Sequence, residues 1–133
     1  MKRYLLDTNH LSAYLDLQPV VVQRIDAAIL SGHRFGICFP VLCEYRGGIR
    51  VGRRYRRNLT RLKAAFSFLR LWPIDESTVD EFADIYRELS AAGRMIGQFD
   101  LLIASVVRQH KLILLTADQD FQNVSGIRIE NWL

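Results

Sequence analysis

Short apolar runs alternate with stretches of helical hydrophobic spacing along the whole chain, and this alternation constrains the fold more than any other feature. Strands alternating with helices favour a parallel sheet that helices cover on both faces. We therefore predict an α/β fold with a mostly parallel sheet of about five strands. With 133 residues, the chain has the size of one domain, predicted to span positions 1–133. The predicted strands cover positions 4–6, 35–39, 72–74, 111–115 and 127–129, of which 72–74 is either a brief strand or a strand-like link.

Helices fill the intervals between these runs, and two of them begin at a proline, Pro19 or Pro40. A basic amphipathic helix is predicted from the apolar stripe Leu59, Leu62, Phe66 and Leu69. A later acidic helix is predicted to begin at Ser77 as its N-cap. Its inward face is predicted to contain Val79, Phe82, Ala83, Tyr86 and Leu89.

Composition argues against export and membrane insertion. The chain has no run of about eighteen or more apolar residues, and it opens directly into a strand instead of a signal sequence. We therefore expect no membrane segment and a cytoplasmic location. Cys38 and Cys43 have no histidine nearby in sequence, so both are predicted to be buried thiols in a reducing compartment.

Four acidic residues occupy equivalent positions beside the predicted strands. Asp7 and Asp118 follow strands, whereas Glu44 and Asp100 lie in the opening turns of helices. In an open α/β sheet these positions share one rim, outside the carboxyl ends of the strands, where ligands bind. The four carboxylates are therefore predicted to converge on one site.

Convergence of these carboxylates has an electrostatic consequence, because crowded carboxylates cannot all ionise unless a cation lies among them. All-oxygen ligands suit Mg²⁺ or Mn²⁺, and the lack of a Cys/His cluster argues against structural zinc. A divalent cation held in this way lowers the pKa of a bound water and neutralises charge on phosphorus.

Each acid also has an ordinary structural explanation. Asp7, Asp100 and Asp118 suit helix caps. Glu44 suits a solvated helix face, and Asp120 suits an Asx-turn onto its own backbone. Four acids at equivalent rim positions exceed what capping requires, and this joint placement favours the metal site.

The basic residues are concentrated between positions 46 and 70. Nine of the 18 lysines and arginines lie there without any acid, interleaved with Tyr55, Phe66 and Phe68. Such a surface suits a phosphate backbone, with aromatic rings for base stacking, so that acids and cations together point to phosphodiester cleavage. A solvated helix face and a contact with an acidic protein are the alternatives. The predicted nucleic-acid contacts are Arg46, Arg50, Arg53, Arg54, Arg56 and Arg57.

Four sequence motifs contain the candidate acids. They are LLDTN at 5–9, FPVLCEY at 39–45, IGQFDLLIA at 96–104 and LTADQDF at 115–121. At these residues the chain resembles the PIN-domain ribonucleases, and most of all the small bacterial toxins of the VapC type. The resemblance covers nearly the whole chain, and four motifs in order at about the family's spacing are a specific signal.

The resemblance implies a PIN-like α/β/α sandwich and a Mg²⁺- or Mn²⁺-dependent endoribonuclease. It also implies an RNA substrate, a homodimer and inhibition by a small antitoxin protein whose tail enters the acidic groove. Asp118 is favoured over Asp120 as the fourth acid because it lies closer to the end of its strand. The implied metal-site residues are Asp7, Glu44, Asp100 and Asp118, with Asp120 as the alternative and with supporting hydrogen bonds from Asn9 and Thr116.

Two other functions fit parts of the sequence. A PIN-fold module that binds RNA or protein without cleaving would keep the basic surface, but the presence of all the acids speaks against it. A phospho-acceptor domain is expected to have paired acids after its first strand and a lysine after its last. This chain instead has Asp7-Thr8 and places Lys111 before its strand. Cleavage of RNA by metal-activated water is therefore the favoured prediction.

Overall fold

The computed structural model describes all 133 residues, which form five strands, six α-helices and a 3₁₀ helix. The strands are β1 (Arg3–Leu6), β2 (Arg34–Cys38), β3 (Leu69–Trp72), β4 (Ile113–Leu115) and β5 (Arg128–Glu130). The α-helices are α1 (Thr8–Leu15), α2 (Pro19–Leu30), α3 (Phe39–Arg50), α4 (Tyr55–Ala65), α5 (Glu76–Ala92) and α6 (Gln98–His110). The 3₁₀ helix, Gln119–Asn123, lies between β4 and β5.

All five strands are parallel and lie in the order β3-β2-β1-β4-β5. This arrangement confirms the predicted α/β fold with a parallel five-stranded sheet. The chain leaves β1 toward β2 on one side and leaves β4 toward β5 on the other, so the strand order reverses between β1 and β4. A crevice opens beyond the carboxyl ends of the strands at such a switch point. Asp7 follows β1 and Asp118 follows β4, so an acid borders the crevice on each side.

The central strands are covered on both faces. Leu5 and Leu6 are consecutive residues of β1 and both are fully buried, as are Leu114 and Leu115 of β4. Because successive side chains of a strand point to opposite faces, helices must pack against both sides of this sheet. None of the helices combines the length and the hydropathy that a membrane-spanning segment needs.

The third strand lies earlier in the chain than predicted. It was expected at 72–74, whereas β3 begins at Leu69 and ends at Trp72. Pro73 has no N–H to continue the ladder, which explains where the strand ends. The basic helix α4 ends at Ala65, so the assignment of Phe66 and Leu69 to its stripe was also wrong. The spacing of apolar residues simply continues across the turn that joins α4 to β3.

The N-cap of α5 is Asp75, not the predicted Ser77. The Asp75 carboxylate accepts a hydrogen bond from the Thr78 backbone N–H at 3.1 Å, and the Thr78 hydroxyl accepts one from the Asp75 N–H at 3.0 Å. This reciprocal pair is a capping box, which satisfies two backbone donors that a helix start otherwise leaves free.

The predicted inward face of α5 was partly wrong. Val79 and Tyr86 are 58% and 47% exposed, and Ala83 is also exposed. Leu89 is buried as predicted, and Ile85 is fully buried beside it. The helix carries more apolar residues than one face holds, so periodicity alone does not reveal which stripe packs against α6.

The two cysteines differ in environment. Cys38, at the end of β2, is buried as predicted, and burial raises its thiol pKa to about 12. Cys43 is exposed, so the prediction of a second buried thiol was wrong. On α3 the buried side contains Val41 and Tyr45, and Cys43 falls on the opposite side.

Replacement of Gly36 by alanine is expected to destabilise the fold, because the indole of Trp72 lies directly against this glycine. An added Cβ would be 2.6 Å from both the Trp72 Nε1 and the Arg70 carbonyl oxygen. We expect Gly36→Ala to lower the free energy of unfolding by about 1 to 3 kcal/mol, as measured by urea denaturation.

Gly47→Ala is the matched control for this variant. A Cβ at Gly47 in α3 meets no atom within 4 Å, and alanine favours a helix by about 1 kcal/mol over glycine. This control is therefore expected to be neutral or stabilising. Equal midpoints for the two variants would contradict the close contact at Gly36.

Candidate functional site

Asp7 directly follows β1 and is the N-cap of α1. Its backbone N–H donates to the Leu115 carbonyl of β4 at 2.9 Å, which holds the two strand ends together. The carboxylate Oδ1 accepts from the Thr8 N–H at 2.8 Å. The Oδ2 accepts from the Thr116 hydroxyl at 2.7 Å and from the Asn9 amide at 3.3 Å. The side chain is thus fixed from three directions.

Asp7 is only 5% exposed, and burial raises its carboxyl pKa. The negative charge of Asp118 raises this pKa further, whereas the hydrogen bonds from Thr116, Thr8 and Asn9 lower it. The ionised form is therefore supported by neutral donors alone. A cation beside Asp7 would favour ionisation much more strongly.

Glu44 reaches the same rim from α3, the helix that follows β2. Its Oε1 accepts a hydrogen bond from the Thr8 hydroxyl at 3.3 Å. Loss of hydration raises the pKa of Glu44, and the charges of Asp7 and Asp118 raise it further. Thr8 contacts Asp7 through its backbone and Glu44 through its side chain, a bridging position that was not predicted from the sequence.

Three further acids, Asp100, Asp118 and Asp120, form a tight group. Each offers a carboxylate oxygen that lies within 4.8 Å of the others. Asp100 comes from the first turn of α6, whereas Asp118 and Asp120 come from the start of the 3₁₀ helix. Burial raises the pKa of Asp100 to about 6, with further contributions from Asp118, Asp7, Glu44 and Asp120 in that order.

The structural roles proposed for the acids occur alongside this clustering. Asp7 caps α1, and Asp118 caps the 3₁₀ helix through a 2.9 Å bond from the Asp120 N–H to its Oδ1. Asp100 is no cap, since Gly97 has that position in α6. The Asx-turn expected from Asp120 is instead made by Asp118. Glu44 is exposed, as a solvated helix residue would be.

The predicted supporting residues lie between the acids. The Thr116 hydroxyl donates to Asp7 and accepts from the Asp118 N–H at 3.0 Å, so one side chain contacts both strand-end acids. Asn9 donates to Asp7 and accepts from the Ala117 N–H at 3.2 Å. His10, the next residue of α1, is fully buried and was not identified from the sequence.

Asp7 and Glu44 lie outside the close group of Asp100, Asp118 and Asp120, but the five acids border the same crevice and together have the properties of a site for a divalent cation. The residues offer only carboxylate oxygens, which hard cations such as Mg²⁺ and Mn²⁺ prefer. The charges that shift the pKa values of Asp7, Glu44 and Asp100 are all negative. No acid of the group forms an ion pair with an arginine or lysine. The donor set therefore fits an ion that this chain does not itself supply.

The six arginines predicted to contact nucleic acid are all exposed, and none of them forms an ion pair. Arg46 and Arg50 lie on α3, the helix that also carries Glu44. The Arg50 guanidinium lies 4.9 Å from the ring centroid of Tyr55. The exposed, unpaired side chains of Arg46 and Arg50 therefore lie on the same helix as Glu44, which reaches the crevice.

Comparison with known proteins relates the chain to one family. The PIN domain family model matches residues 4–127. The tRNA(fMet)-specific endonuclease VapC of Shigella flexneri is 28% identical over 133 residues, 99% of each chain. Ribonuclease VapC2 of Haemophilus influenzae is 26% identical over the full length of both.

Solved structures give the same relationship. The crystal structure of DNA-bound VapBC from Salmonella typhimurium matches with a TM-score of 0.88 and 26% identity, covering 100% of both chains. The structure of VapBC2 from Rickettsia felis, bound to a DNA fragment from its promoter, matches with a TM-score of 0.89. At 23% identity over 98% of this chain and 99% of that one, the Rickettsia match concerns the fold.

The raised pKa of Asp100 predicts how the stability of the metal-free protein depends on pH. Between the ordinary value of 3.8 and about 6, the folded protein binds more protons than the unfolded chain. The free energy of unfolding should therefore fall as the pH rises through this window. We expect metal-free Asp100→Asn to be more stable than the wild type near pH 7 and to match it below about pH 4.

Urea denaturation in EDTA across this pH range is the measurement. Asp84→Asn is the control, because Asp84 is an exposed carboxylate on α5, outside the acidic group. The control should follow the wild type at every pH. A wild-type stability that rises from about pH 4 to 6, with Asp100→Asn no more stable, would contradict the raised pKa of Asp100.

Proposed function

This chain belongs to the PIN domain family, and we propose that it is the endoribonuclease toxin of a toxin–antitoxin pair. The observation that carries the proposal is the placement of Asp7, Glu44, Asp100 and Asp118 around the switch point between β1 and β4. Relatives that match over their full length are named as a tRNA(fMet)-specific endonuclease and a ribonuclease. The substrate class proposed here is RNA, and the reaction is phosphodiester hydrolysis.

We propose that the reaction depends on Mg²⁺ or Mn²⁺, held by Asp7, Glu44, Asp100 and Asp118. The all-oxygen donor set and the mutual repulsion of these acids support this assignment. When bound, a divalent ion lowers the pKa of a water ligand and neutralises charge on the scissile phosphate.

The chain itself orients the site. Thr116, Asn9 and the Thr8 N–H fix both oxygens of Asp7, so this carboxylate is held in place before any ligand arrives. The exposed arginines at 46, 50, 53, 54, 56 and 57 bind backbone phosphates and place the RNA over the acidic crevice. Water is the nucleophile, and no covalent enzyme intermediate is formed.

Asp118 is proposed as the fourth acid, with Asp120 as the alternative. Asp118 shares the Thr116 hydroxyl with Asp7, which ties it to the β1 side of the crevice. One of its oxygens accepts the Asp120 N–H, which leaves the other for a ligand. Asp120 is exposed and its side chain makes no hydrogen bond, but its carboxylate belongs to the same close group.

The biological setting is proposed from the relatives. The neighbours from Salmonella typhimurium and Rickettsia felis are VapBC assemblies bound to DNA, and we propose that this chain likewise binds a cognate antitoxin. A tail of that antitoxin would occupy the acidic groove. We further propose a homodimer, a single domain spanning residues 1–133, and a cytoplasmic location.

RNA cleavage by the purified protein is expected to require Asp7. Because Asp7 is the most buried and most hydrogen-bonded of the acids, Asp7→Asn should lower the cleavage rate at least about 100-fold, equivalent to roughly 3 kcal/mol. The assay uses RNA with Mn²⁺, and EDTA should abolish cleavage. Asp84→Asn should cleave at the wild-type rate.

The melting temperature shows whether a variant has lost metal binding or only catalytic activity. Mn²⁺ should raise it for the wild type in a concentration-dependent way, and less for Asp7→Asn. Equal cleavage by Asp7→Asn and the wild type would end the nuclease assignment. Salt-dependent RNA binding without cleavage under any divalent metal would instead favour the non-cleaving PIN-fold module.

The arginine surface is expected to bind RNA without sequence preference. In the Asp7→Asn background, the double variant Arg53→Gln/Arg54→Gln should weaken binding to several unrelated RNAs. For two lost phosphate contacts, the slope of log affinity against log salt should decrease by about 1.4 for single strands. Fluorescence anisotropy titrations at several salt concentrations give both quantities.

Arg87→Gln/Arg94→Gln is the matched control, because it removes the same charge at exposed positions on and after α5. Its salt slope should stay at the wild-type value. An effect of the Arg53/Arg54 variant on one RNA sequence alone would contradict phosphate binding by this surface.

A further inference from the structure

His10 is a fully buried polar side chain that the proposed reaction does not use. It lies in the first turn of α1, directly after Asn9. Both of its ring nitrogens have partners. The Nε2 lies 2.9 Å from the backbone nitrogen of Trp132, and the Nδ1 lies 2.6 Å from the Asn9 Oδ1.

These partners determine the tautomer of the ring. The Trp132 N–H can only donate, so the His10 Nε2 must be the acceptor. Burial lowers the pKa of His10 to about 4, which leaves the ring neutral with a single proton near pH 7. That proton is therefore on Nδ1, where it is donated to the Asn9 Oδ1.

The Nδ1 proton in turn sets the orientation of the Asn9 amide. The Asn9 Oδ1 accepts from His10 and from the Ala117 N–H at 3.2 Å. Its Nδ2 is thereby directed to the Asp7 Oδ2 at 3.3 Å and to the Thr116 hydroxyl at 3.4 Å. If the Asn9 amide were flipped, its oxygen would face the Asp7 carboxylate. Its nitrogen could not accept the hydrogen bonds from His10 and from the Ala117 N–H.

At the other end of this series of hydrogen bonds, Trp132 is held in place by its neighbours. Trp132 is 5% exposed, with its ring centroid 5.1 Å from that of Tyr4 and 6.0 Å from that of Phe35. The Arg24 guanidinium lies 4.4 Å from the centroid of the indole. Trp132, whose backbone N–H donates to His10, is therefore held in a fixed position. It follows β5 and lies far from Asp7 in sequence.

We propose that His10 is a positioning residue, which locks the Asn9 amide toward Asp7 and couples the acidic site to the segment that follows β5. The metal affinity of the site then depends on a residue that touches neither metal nor RNA. This consequence rests on the proposed metal-dependent function, whereas the locking of Asn9 does not.

Two variants of similar shape each remove one of the two hydrogen bonds of His10 and keep the other. In His10→Asn, the amide nitrogen falls near the position of Nδ1, so it keeps the donor to Asn9 and loses the bond to Trp132. In His10→Gln, the amide oxygen falls near the position of Nε2, so it keeps the bond to Trp132 and loses the donor. A merely structural histidine would make both variants equally harmful.

Nuclear magnetic resonance of the metal-free protein tests the locking directly. The ¹⁵N shifts of His10 in the wild type should show a protonated Nδ1 and an unprotonated, accepting Nε2. The side-chain amide signals of Asn9 should shift and exchange faster in His10→Gln than in His10→Asn. A protonated Nε2, or Asn9 signals equally perturbed in both variants, would overturn the proposal.

The Mn²⁺ affinity, measured by calorimetric titration, tests the consequence for the site. We expect His10→Gln to bind Mn²⁺ about 10-fold or more weakly than the wild type, and His10→Asn to stay within about 3-fold. Equal losses in the two variants would overturn the coupling. If His10→Gln fails to fold, His10→Leu, which fills the same buried position and also loses the donor to Asn9, replaces it with the same expected loss.

Failure of the proposed function would appear differently. A wild type that neither binds Mn²⁺ nor cleaves RNA would end the metal-dependent nuclease assignment. The resonance measurements on the metal-free protein would still decide whether His10 holds Asn9.

Discussion

Repulsion among carboxylates gathered at the switch point is the constraint around which this molecule is built. Asp7 lies on the β1 side of the crevice and Asp118 on the β4 side, with Asp100 and Glu44 reaching in from helices. Asp118, Asp7 and Glu44 raise the pKa of Asp100, and Asp118 also raises the pKa values of Asp7 and Glu44. A fold that only needed stability would not gather these charges. The gathering therefore has to be explained by what the charges bind.

Neutral donors hold the acids in position without removing their charge. Thr116, Thr8 and Asn9 donate to Asp7, and Thr8 also donates to Glu44. An arginine in place of these neutral donors would lower the pKa values of the carboxyl groups, but its own charge would occupy the cation site. Threonine and asparagine orient the oxygens and leave the negative charge available to a cation, which is the property a metal centre requires.

The sequence predicted those parts of the structure that depend on local pattern. Short apolar runs located four of the five strands, and acids after strands located the rim, because both follow from backbone periodicity and from the geometry of parallel sheets. The stripe of α5 that is buried and the exposure of Cys43 were mispredicted, since they depend on which neighbour packs against each helix. The bond between His10 and Trp132 joins residues 122 positions apart, and no local pattern carries that information.

The placement of opposite charges on α3 suggests how substrate binding and metal binding combine. Glu44 faces the crevice, whereas Arg46 and Arg50 follow on the same helix as exposed, unpaired cations. A polyanion is attracted to the arginines at any metal concentration, but its phosphate is repelled from crowded carboxylates. A divalent ion bound among the acids would turn this repulsion of the phosphate into attraction, but only at the crevice. In the proposed function, the arginines would thus supply general affinity for RNA, and the acids would admit a phosphodiester only where a cation has already been bound.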